Sequence, residues 1–200
     1  ANSPKEEVEK LYGIPIGKRN KLNVTTQIQQ RWNFCAPATV SMMLASRGKI
    51  VDQFTLAREM GTYEPFGTHN RDAIRILNKH MFGYEFPQTN QAGYRIETVR
   101  EINSASIELF KQRLIKNTQD GYPMYYTFNP GKIYPGIANA EHNVAGAGYI
   151  ATPDNKDVAL VYYVDPYYKF QDPIYGGLKV VTPEELLNAM VGVSEPDYAW

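Results

Sequence analysis

The spacing of the apolar residues changes along this chain, and that change strongly limits the folds open to it. Between residues 35 and 120, apolar residues recur at the three- and four-residue spacing of amphipathic helices. After Pro123 the apolar segments are short, rich in β-branched and aromatic residues, and bounded by turn residues, which is typical of strands. Helices followed by strands predict an α+β fold, in which a helical N-terminal half packs on a C-terminal antiparallel sheet.

The same patterns give approximate positions for the elements. The predicted helices cover residues 6–12, 37–47, 53–60, 70–81 and 107–115, with a last helix that begins at Thr182. The predicted strands cover residues 124–128, 143–150 and 158–164. The turn at 152–157 is short enough to join the last two strands as an antiparallel hairpin.

Size and charge restrict the organisation and the partners of the chain. Its 200 residues, 43% hydrophobic and 21% charged, suit one compact domain over residues 1–200. We expect residues 1–28 to form an extended approach segment, apart from its short helix. Because 21 basic residues balance 21 acidic ones, no global field attracts nucleic acid or anionic lipid. No apolar stretch approaches the roughly 20 residues that span a bilayer, so no membrane span is expected.

The sequence says less about location and assembly. Cys35 is the only cysteine, and a single cysteine forms no intramolecular disulfide that would indicate a redox compartment. The chain begins Ala-Asn-Ser-Pro rather than with Met, which fits either a mature product after removal of a signal or a chain trimmed at its start, and the first of these favours a secreted or cell-envelope protein. The oligomeric state has no signal in the sequence.

Cys35 lies between the polar, aromatic stretch QQRWNF and an apolar helix that begins near Pro37. A thiol attacks as its thiolate, so a catalytic cysteine needs a pKa below the usual value of about 8.5. The unpaired N–H groups of a helix N-terminus favour an anion, and a neighbouring imidazolium adds a full charge. Taken alone, a free cysteine is more often a small buried hydrophobe. Cys35 is therefore a candidate nucleophile with a structural alternative.

Three histidines are available as the base. His80 ends a predicted helix and His69 lies in a turn before one, and both positions favour surface or helix-capping roles. His142 follows the loop 129–141 and opens a predicted strand, where a rigid scaffold presents a base at the end of a loop. His142 is therefore the best candidate.

Asp165 ends the strand that follows the predicted hairpin turn. In an antiparallel pair the start of one strand lies beside the end of the next, so His142 and Asp165 are expected at the same end of the sheet. A carboxylate there would set the tautomer and orientation of the imidazole. The alternative is that Asp165 only ends its strand, in a turn with the sequence DPYY.

Acyl transfer also requires hydrogen-bond donors for the developing oxyanion. The backbone N–H of Cys35 is one candidate. The side-chain amide of Gln29, on the approach segment, is another, and Gln30 is the neighbouring alternative. A surface position is the other interpretation of both glutamines.

The order of these residues resembles that of papain-like cysteine peptidases. Gln29 precedes Cys35, Cys35 is followed by Ala-Pro-Ala and an apolar helix, His142 precedes a Gly-rich strand, and Asp165-Pro166 follows the next strand. More narrowly, the chain is similar to the bacteriocin-processing, double-glycine peptidases and their stand-alone relatives. The resemblance implies a papain-like fold with Cys35 as nucleophile, His142 as general base and acid, Asp165 as the orienting residue and Gln29 as an oxyanion donor. It implies no metal or organic cofactor.

The leading hypothesis is thus a thiol hydrolase that cleaves a peptide or isopeptide bond of a peptide or protein substrate through an acyl-enzyme. The family commonly has glycine after the cysteine, and the methyl group of Ala36 is expected to narrow the approach of substrate. One alternative is a catalytically silent peptide-binding module of the cell surface, and another is a cell-wall amidase or acyltransferase. The loop 129–141 is either a lid or specificity loop or a plain surface connection.

Overall fold

The computed structural model describes residues 5–200, with side chains from Val8 onward, so the first four residues of the approach segment lie outside the described residues. Within residues 5–200 there are six α-helices and seven strands. The helices are α1 (Lys5–Tyr12), α2 (Cys35–Ser46), α3 (Gln53–Met60), α4 (Asn70–Phe82), α5 (Ser104–Asp120) and α6 (Pro183–Met190). The strands are β1 (Arg19–Lys21), β2 (Ile96–Thr98), β3 (Met124–Phe128), β4 (His142–Ala151), β5 (Val158–Val164), β6 (Leu178–Val181) and β7 (Asp197–Ala199).

Local sequence signals set the ends of several helices. Helices α3, α4 and α5 end where Gly61, Gly83 and Gly121 adopt left-handed backbone angles, with φ of 69°, 89° and 85°. At the start of α6, Pro183 occupies the first turn and the side chain of Thr182 accepts a hydrogen bond from the third residue of the helix. Helices α3 and α4 closely match the predicted ranges 53–60 and 70–81, whereas α5 extends beyond the predicted 107–115 at both ends.

The seven strands form one antiparallel sheet with the order β2-β7-β3-β4-β5-β6, and β1 pairs with β4 beyond the part of β4 that pairs with β3. The predicted hairpin of β4 and β5 is present. The predicted C-terminal antiparallel sheet is thus confirmed, and it also contains four strands that were not predicted, namely β1, β2, β6 and β7. Each of these strands has only three or four residues, too few for an alternating pattern to be recognised.

Helices cover both faces of the sheet, which is why every residue of β3, β4 and β5 is buried. Successive side chains of a strand point to opposite faces. Tyr125 accordingly packs in a core with α2, α3 and α4, whereas Tyr126 packs in a second core with α5 and α6. Helix α2 is buried from Ala36 to Leu44 and lies in the middle of the first core. The N-terminus of this central helix meets the start of β4.

Asp165 immediately follows β5, and Gly177 holds its backbone in place. The N–H of Asp165 donates a hydrogen bond of 2.8 Å to the carbonyl of Gly177. A Cβ atom at position 177 would lie 2.3 Å from the carbonyl oxygen of Asp165. A glycine is required here because any side chain would displace Asp165. No helix in the described part of the chain is both long enough and apolar enough to cross a membrane.

Candidate active site

A cleft with a volume of about 410 Å³ opens at the end of the sheet where β4 begins. Cys35, His142 and Asn143 are its polar centre. Its walls come from the approach segment before α2, the loop before α4, the loop 129–141 and residues 167–170. The predicted nucleophile and base therefore share one cleft, and the loop 129–141 lines that cleft.

Cys35 is the first residue of α2 and is partly exposed. The helix begins after Phe34, and no side chain that the structure describes caps its N-terminus. The N–H groups of the first helical turn have no intrahelical acceptors, and they carry the positive end of the helix dipole. This end of α2 therefore stabilises negative charge on the Cys35 sulfur and on a substrate oxygen beside it.

The next residue, Ala36, lies on a different side of the helix. Its side chain is 1% exposed and packs in the core shared by α2, α3 and α4. One residue along an α-helix turns the side chain by roughly 100°, so residue 36 points into the core while Cys35 faces the cleft. The expectation that Ala36 narrows the approach of substrate was wrong for this reason.

His142 and Asp165 meet where β4 starts and β5 ends, as the antiparallel register requires. The Nε2 atom of His142 lies 2.7 Å from Oδ1 of Asp165. Both residues are buried, with 7% and 0% exposure. Because Asp165 occupies Nε2, the other ring nitrogen of His142 is the one left for the cleft.

Two further donors bind the carboxylate of Asp165. Oδ1 accepts a hydrogen bond from the backbone N–H of Tyr167 (2.9 Å), and Oδ2 accepts one from the hydroxyl of Tyr134 (2.6 Å). The Tyr134 oxygen also lies 2.9 Å from that of Tyr163. Burial, together with the nearby Tyr163 and Asp165, raises the pKa of Tyr134, so this phenol stays neutral and remains a donor. Tyr134 thereby attaches the loop 129–141 to Asp165.

The sequence predictions did not include Tyr134. It is one of fifteen tyrosines, and it lies in a loop where no periodicity distinguishes it. Asn143 was also not predicted, although the sequence carries a signal for it. In the apolar strand HNVAGAGYI, an asparagine after the candidate base is a polar residue at a position that the strand buries.

Aromatic rings enclose the imidazole of His142. The rings of Phe128, Tyr167 and Phe170 have centroids 6.0, 6.4 and 6.0 Å from it. Burial disfavours the charged imidazole and lowers its pKa, but the charge and hydrogen bond of Asp165, aided by Cys35, outweigh this effect and raise the pKa from 6.5 to about 10. His142 is therefore an imidazolium at neutral pH, between a carboxylate and the thiol.

Gln29 lines the cleft, but its amide hydrogens point elsewhere. Its Nε2 atom donates to the backbone carbonyls of Arg31 (3.1 Å) and Trp32 (3.0 Å). Within the described part of the chain its Oε1 is buried and has no hydrogen-bond partner. The amide thus holds the turn that leads to Cys35, and its oxyanion role stays a prediction. Gln30, the alternative, is exposed.

The two other histidines lie apart from the polar centre of the cleft. His80 Nε2 pairs with Glu59 Oε1 at 2.8 Å, and His69 Nδ1 pairs with Glu195 Oε2 at 2.8 Å. His69 also stacks on Phe66, a residue of the cleft wall, with centroids 4.3 Å apart. Among the side chains that the structure describes, no three His, Cys, Asp or Glu residues group as metal ligands do.

The sequence matches a known family model over most of its length. The model described as the Peptidase_C39 like family matches residues 21–183, a range that contains Gln29, Cys35, His142 and Asp165. No curated protein matches the chain.

Several solved structures resemble this one. A putative C39-like peptidase from Bacillus anthracis is 17% identical, with 88% of this chain and 93% of that chain covered and a TM-score of 0.57. A double glycine motif protease from an AMS/PCAT transporter, solved with a leader peptide, is 15% identical, with coverage of 93% and 96% and a TM-score of 0.53. The peptidase domain of Streptococcus ComA, a bifunctional ABC transporter involved in quorum sensing, is 11% identical, with coverage of 89% and 97% and a TM-score of 0.53. The predicted papain-like α+β fold is confirmed.

The raised pKa of His142 predicts how stability depends on pH. The folded protein keeps this proton up to a pH of about 10, whereas the unfolded chain releases it near 6.5. The stabilisation from His142 is therefore complete below pH 6.5 and is lost as the pH rises towards 10. Within this window we expect His142 to lower the free energy of unfolding by up to about 1.4 kcal/mol per pH unit. Urea denaturation of the parent and of His142→Gln measures this slope, and parallel profiles for the two proteins would contradict it.

Proposed function

The chain belongs to the Peptidase_C39 like family and is a cysteine peptidase-type hydrolase, and we propose that it cleaves a peptide or isopeptide bond through an acyl-enzyme on Cys35. The observation that carries the proposal is the 2.7 Å contact between His142 and Asp165, in a cleft that also contains Cys35. A buried, oriented imidazolium beside a thiol at a helix N-terminus is the arrangement that thiol acyl transfer requires.

In the first step the Cys35 thiolate attacks the carbonyl carbon of the substrate. A C–S bond forms and the carbonyl electrons move to oxygen. The backbone N–H at the start of α2 donates to this oxyanion and lowers the barrier. Gln29 can act as a second donor only if its amide releases the carbonyl of Arg31 or Trp32.

In the second step the C–N bond breaks and His142 donates its cleft-facing proton to the leaving amine. The products are a free amine and a thioester on Cys35. The neutral imidazole then takes a proton from water, and the resulting hydroxide equivalent attacks the thioester. Collapse of this second intermediate releases the acid and restores the thiolate and the imidazolium. Asp165 stays ionised and holds the ring throughout.

The cleft walls favour apolar parts of a peptide. Trp32, Phe66 and Ile137 line the cleft and remain 61%, 39% and 37% exposed. Glu141 and His142 are the charged residues among the described side chains that line it. We propose that the substrate is an extended peptide with apolar side chains near the cleaved bond, since the AMS/PCAT relative also holds a peptide.

The geometry favours turnover over the binding-module alternative. A silent module would have Cys35 and His142 facing apart, or its cleft filled by the loop 129–141. Instead Cys35 and His142 line the same cleft, and the loop forms one wall of that open cleft. A cell-wall amidase or acyltransferase would share these groups, and its products would distinguish it. The secreted or cell-envelope location stays a prediction.

The proposal predicts the effect of removing the base and the nucleophile. With a pool of apolar peptides as substrate, His142→Ala should lower kcat/KM by about 10²- to 10⁴-fold, the usual contribution of a positioned acid and base. Cys35→Ala should abolish hydrolysis. Intact-mass measurement after acid quench should show one acyl group on the parent and none on Cys35→Ala. Product analysis with peptidoglycan fragments and linear peptides identifies the bond type.

Alkylation of Cys35 provides a result that would reject the proposal. Iodoacetamide labels a single cysteine in this chain, so its rate reports on Cys35 alone. Labelling at the same rate in the parent and in His142→Ala, together with no acyl adduct, would reject the catalytic role of both residues.

Tyr134 provides a test of Asp165 as the orienting residue. Tyr134→Phe removes the hydrogen bond to the Asp165 carboxylate and the contact with the Tyr163 hydroxyl, and we expect kcat to fall by about tenfold with little change in KM. Tyr84→Phe is the matched control, because the Tyr84 hydroxyl binds the carbonyl of Ala92 away from the cleft. Equal kinetics for Tyr134→Phe and the control would show that this hydroxyl has no part in orienting the site.

A further inference from the structure

The thiol of Cys35 has a second polar neighbour besides His142. Its Sγ lies 3.3 Å from Oδ1 of Asn143, the residue after the proposed base. Sulfur can donate only as a neutral thiol, because a thiolate has no proton. This contact therefore belongs to the protonated form of Cys35.

A chain of buried side chains decides which end of the Asn143 amide faces the sulfur. The Asp197 carboxylate only accepts hydrogen bonds, so Asn70 turns its Nδ2 towards Asp197 Oδ2 (3.0 Å). The Oδ1 of Asn70 then faces Asn143 Nδ2 (3.4 Å). The Oδ1 of Asn143 is left for Cys35. The charge on Asp197 thus sets an acceptor, rather than a donor, beside the nucleophile.

Two further hydrogen bonds support this orientation of the Asn70 and Asn143 side-chain amides. The hydroxyl of Tyr125 donates to Asn70 Oδ1 (2.9 Å), and that of Thr98 donates to Asp197 Oδ1 (2.7 Å). Burial is the main cause that raises the pKa of Tyr125, and the nearby carboxylates of Glu195, Asp197 and Glu141 add to it, so this phenol stays a donor. The ionisable side chains near the network also include His142, Cys35 and His69, which pairs with Glu195.

The side chains of this network are buried. The exposed fractions of Asn70, Asn143 and Asp197 are 2%, 6% and 7%. An asparagine in a buried strand costs free energy unless its amide is fully hydrogen-bonded, and an apolar residue would suit the position better. In this chain the polar side chain at position 143 is paired at both ends.

We propose that Asn143 accepts the proton of Cys35 whenever the thiol is neutral, and that Asp197, acting through Asn70, fixes the amide in this direction. This inference rests on the proposed role of Cys35 and His142. The imidazolium of His142 favours the thiolate, whereas the carbonyl dipole of Asn143 opposes it. Asn143 touches the reacting atom, and Asn70 and Asp197 are positioning residues. The reactivity of the cysteine is the balance of the two neighbours.

The test is the rate of alkylation by iodoacetamide at acid pH relative to the rate at alkaline pH, measured on the full chain. Asn143→Leu removes the acceptor at similar volume, and we expect the ratio to rise about fivefold, the usual effect of one neutral hydrogen bond. Asp197→Asn replaces the carboxylate with an amide, so the side-chain amides of Asn70 and Asn143 can both turn end for end. We expect this variant to raise the acid-to-alkaline ratio of alkylation rates by a smaller factor than Asn143→Leu does. This second variant keeps every side-chain volume in the network.

Thr127→Val is the matched control. Asn143 Nδ2 also donates to Thr127 Oγ1 (2.7 Å), but a hydroxyl both donates and accepts and so does not set the direction of the amide. This variant should lose stability and keep the ratio of the parent. If the network only stabilised the fold, all three variants would lose stability and would show the same acid-to-alkaline ratio of alkylation rates.

The outcomes separate this inference from the proposed function. The role of Asn143 is overturned if the acid-to-alkaline ratio of alkylation rates is unchanged or lower in both Asn143→Leu and Asp197→Asn. This holds even if His142→Ala is alkylated slowly at acid pH, as the proposed function requires. Equal labelling of the parent and His142→Ala rejects the proposed function instead. A higher ratio in either network variant, with Thr127→Val unchanged, supports the inference.

Discussion

The buried hydrogen bond between His142 Nε2 and Asp165 Oδ1 is the contact on which the site depends. It requires the antiparallel register of β4 and β5, and it requires Gly177, whose lack of a side chain lets the backbone of Asp165 lie against it. Because aromatic rings exclude water from the pair, the attraction between its charges is stronger than it would be in solvent. That attraction outweighs the cost of burial and keeps a proton on His142, so the fold creates the charge that the thiol needs.

The thiol lies between two neighbours with opposite effects. On one side the imidazolium and the N-terminus of α2 stabilise negative charge, and on the other side the carbonyl of Asn143 accepts the thiol proton. Each neighbour is held by a carboxylate, Asp165 for His142 and Asp197 for Asn143, through the network that includes Asn70. The two carboxylates come from chain segments after β5 and in β7. The sheet therefore brings together the groups that set the reactivity of Cys35.

Much of this architecture was predictable from the sequence, and the exceptions have physical causes. Helices 53–60 and 70–81 and the strands 124–128, 143–150 and 158–164 were predicted because their sequence patterns and end signals agree. The placement of His142 beside Asp165 followed from antiparallel geometry and chain order. Tyr134 and Asp197 were not predicted, because each contacts the site across a long separation in sequence that no local pattern records. The prediction for Ala36 was wrong because the direction of its side chain depends on the turn of the helix. The short strands were missed because three or four residues are too few to show an alternation of polar and apolar residues.

The protonation state of His142 decides whether the fold supplies a cation beside Cys35. Nitrogen NMR of the imidazoles, with His142→Gln to separate its signals from those of His69 and His80, reports how many ring nitrogens carry a proton. We expect both nitrogens of His142 to be protonated at neutral pH and the second proton to leave only as the pH approaches 10. A neutral imidazole at pH 7, with a midpoint near the ordinary value of about 6.5, would contradict it, because the thiol would then have no cation beside it.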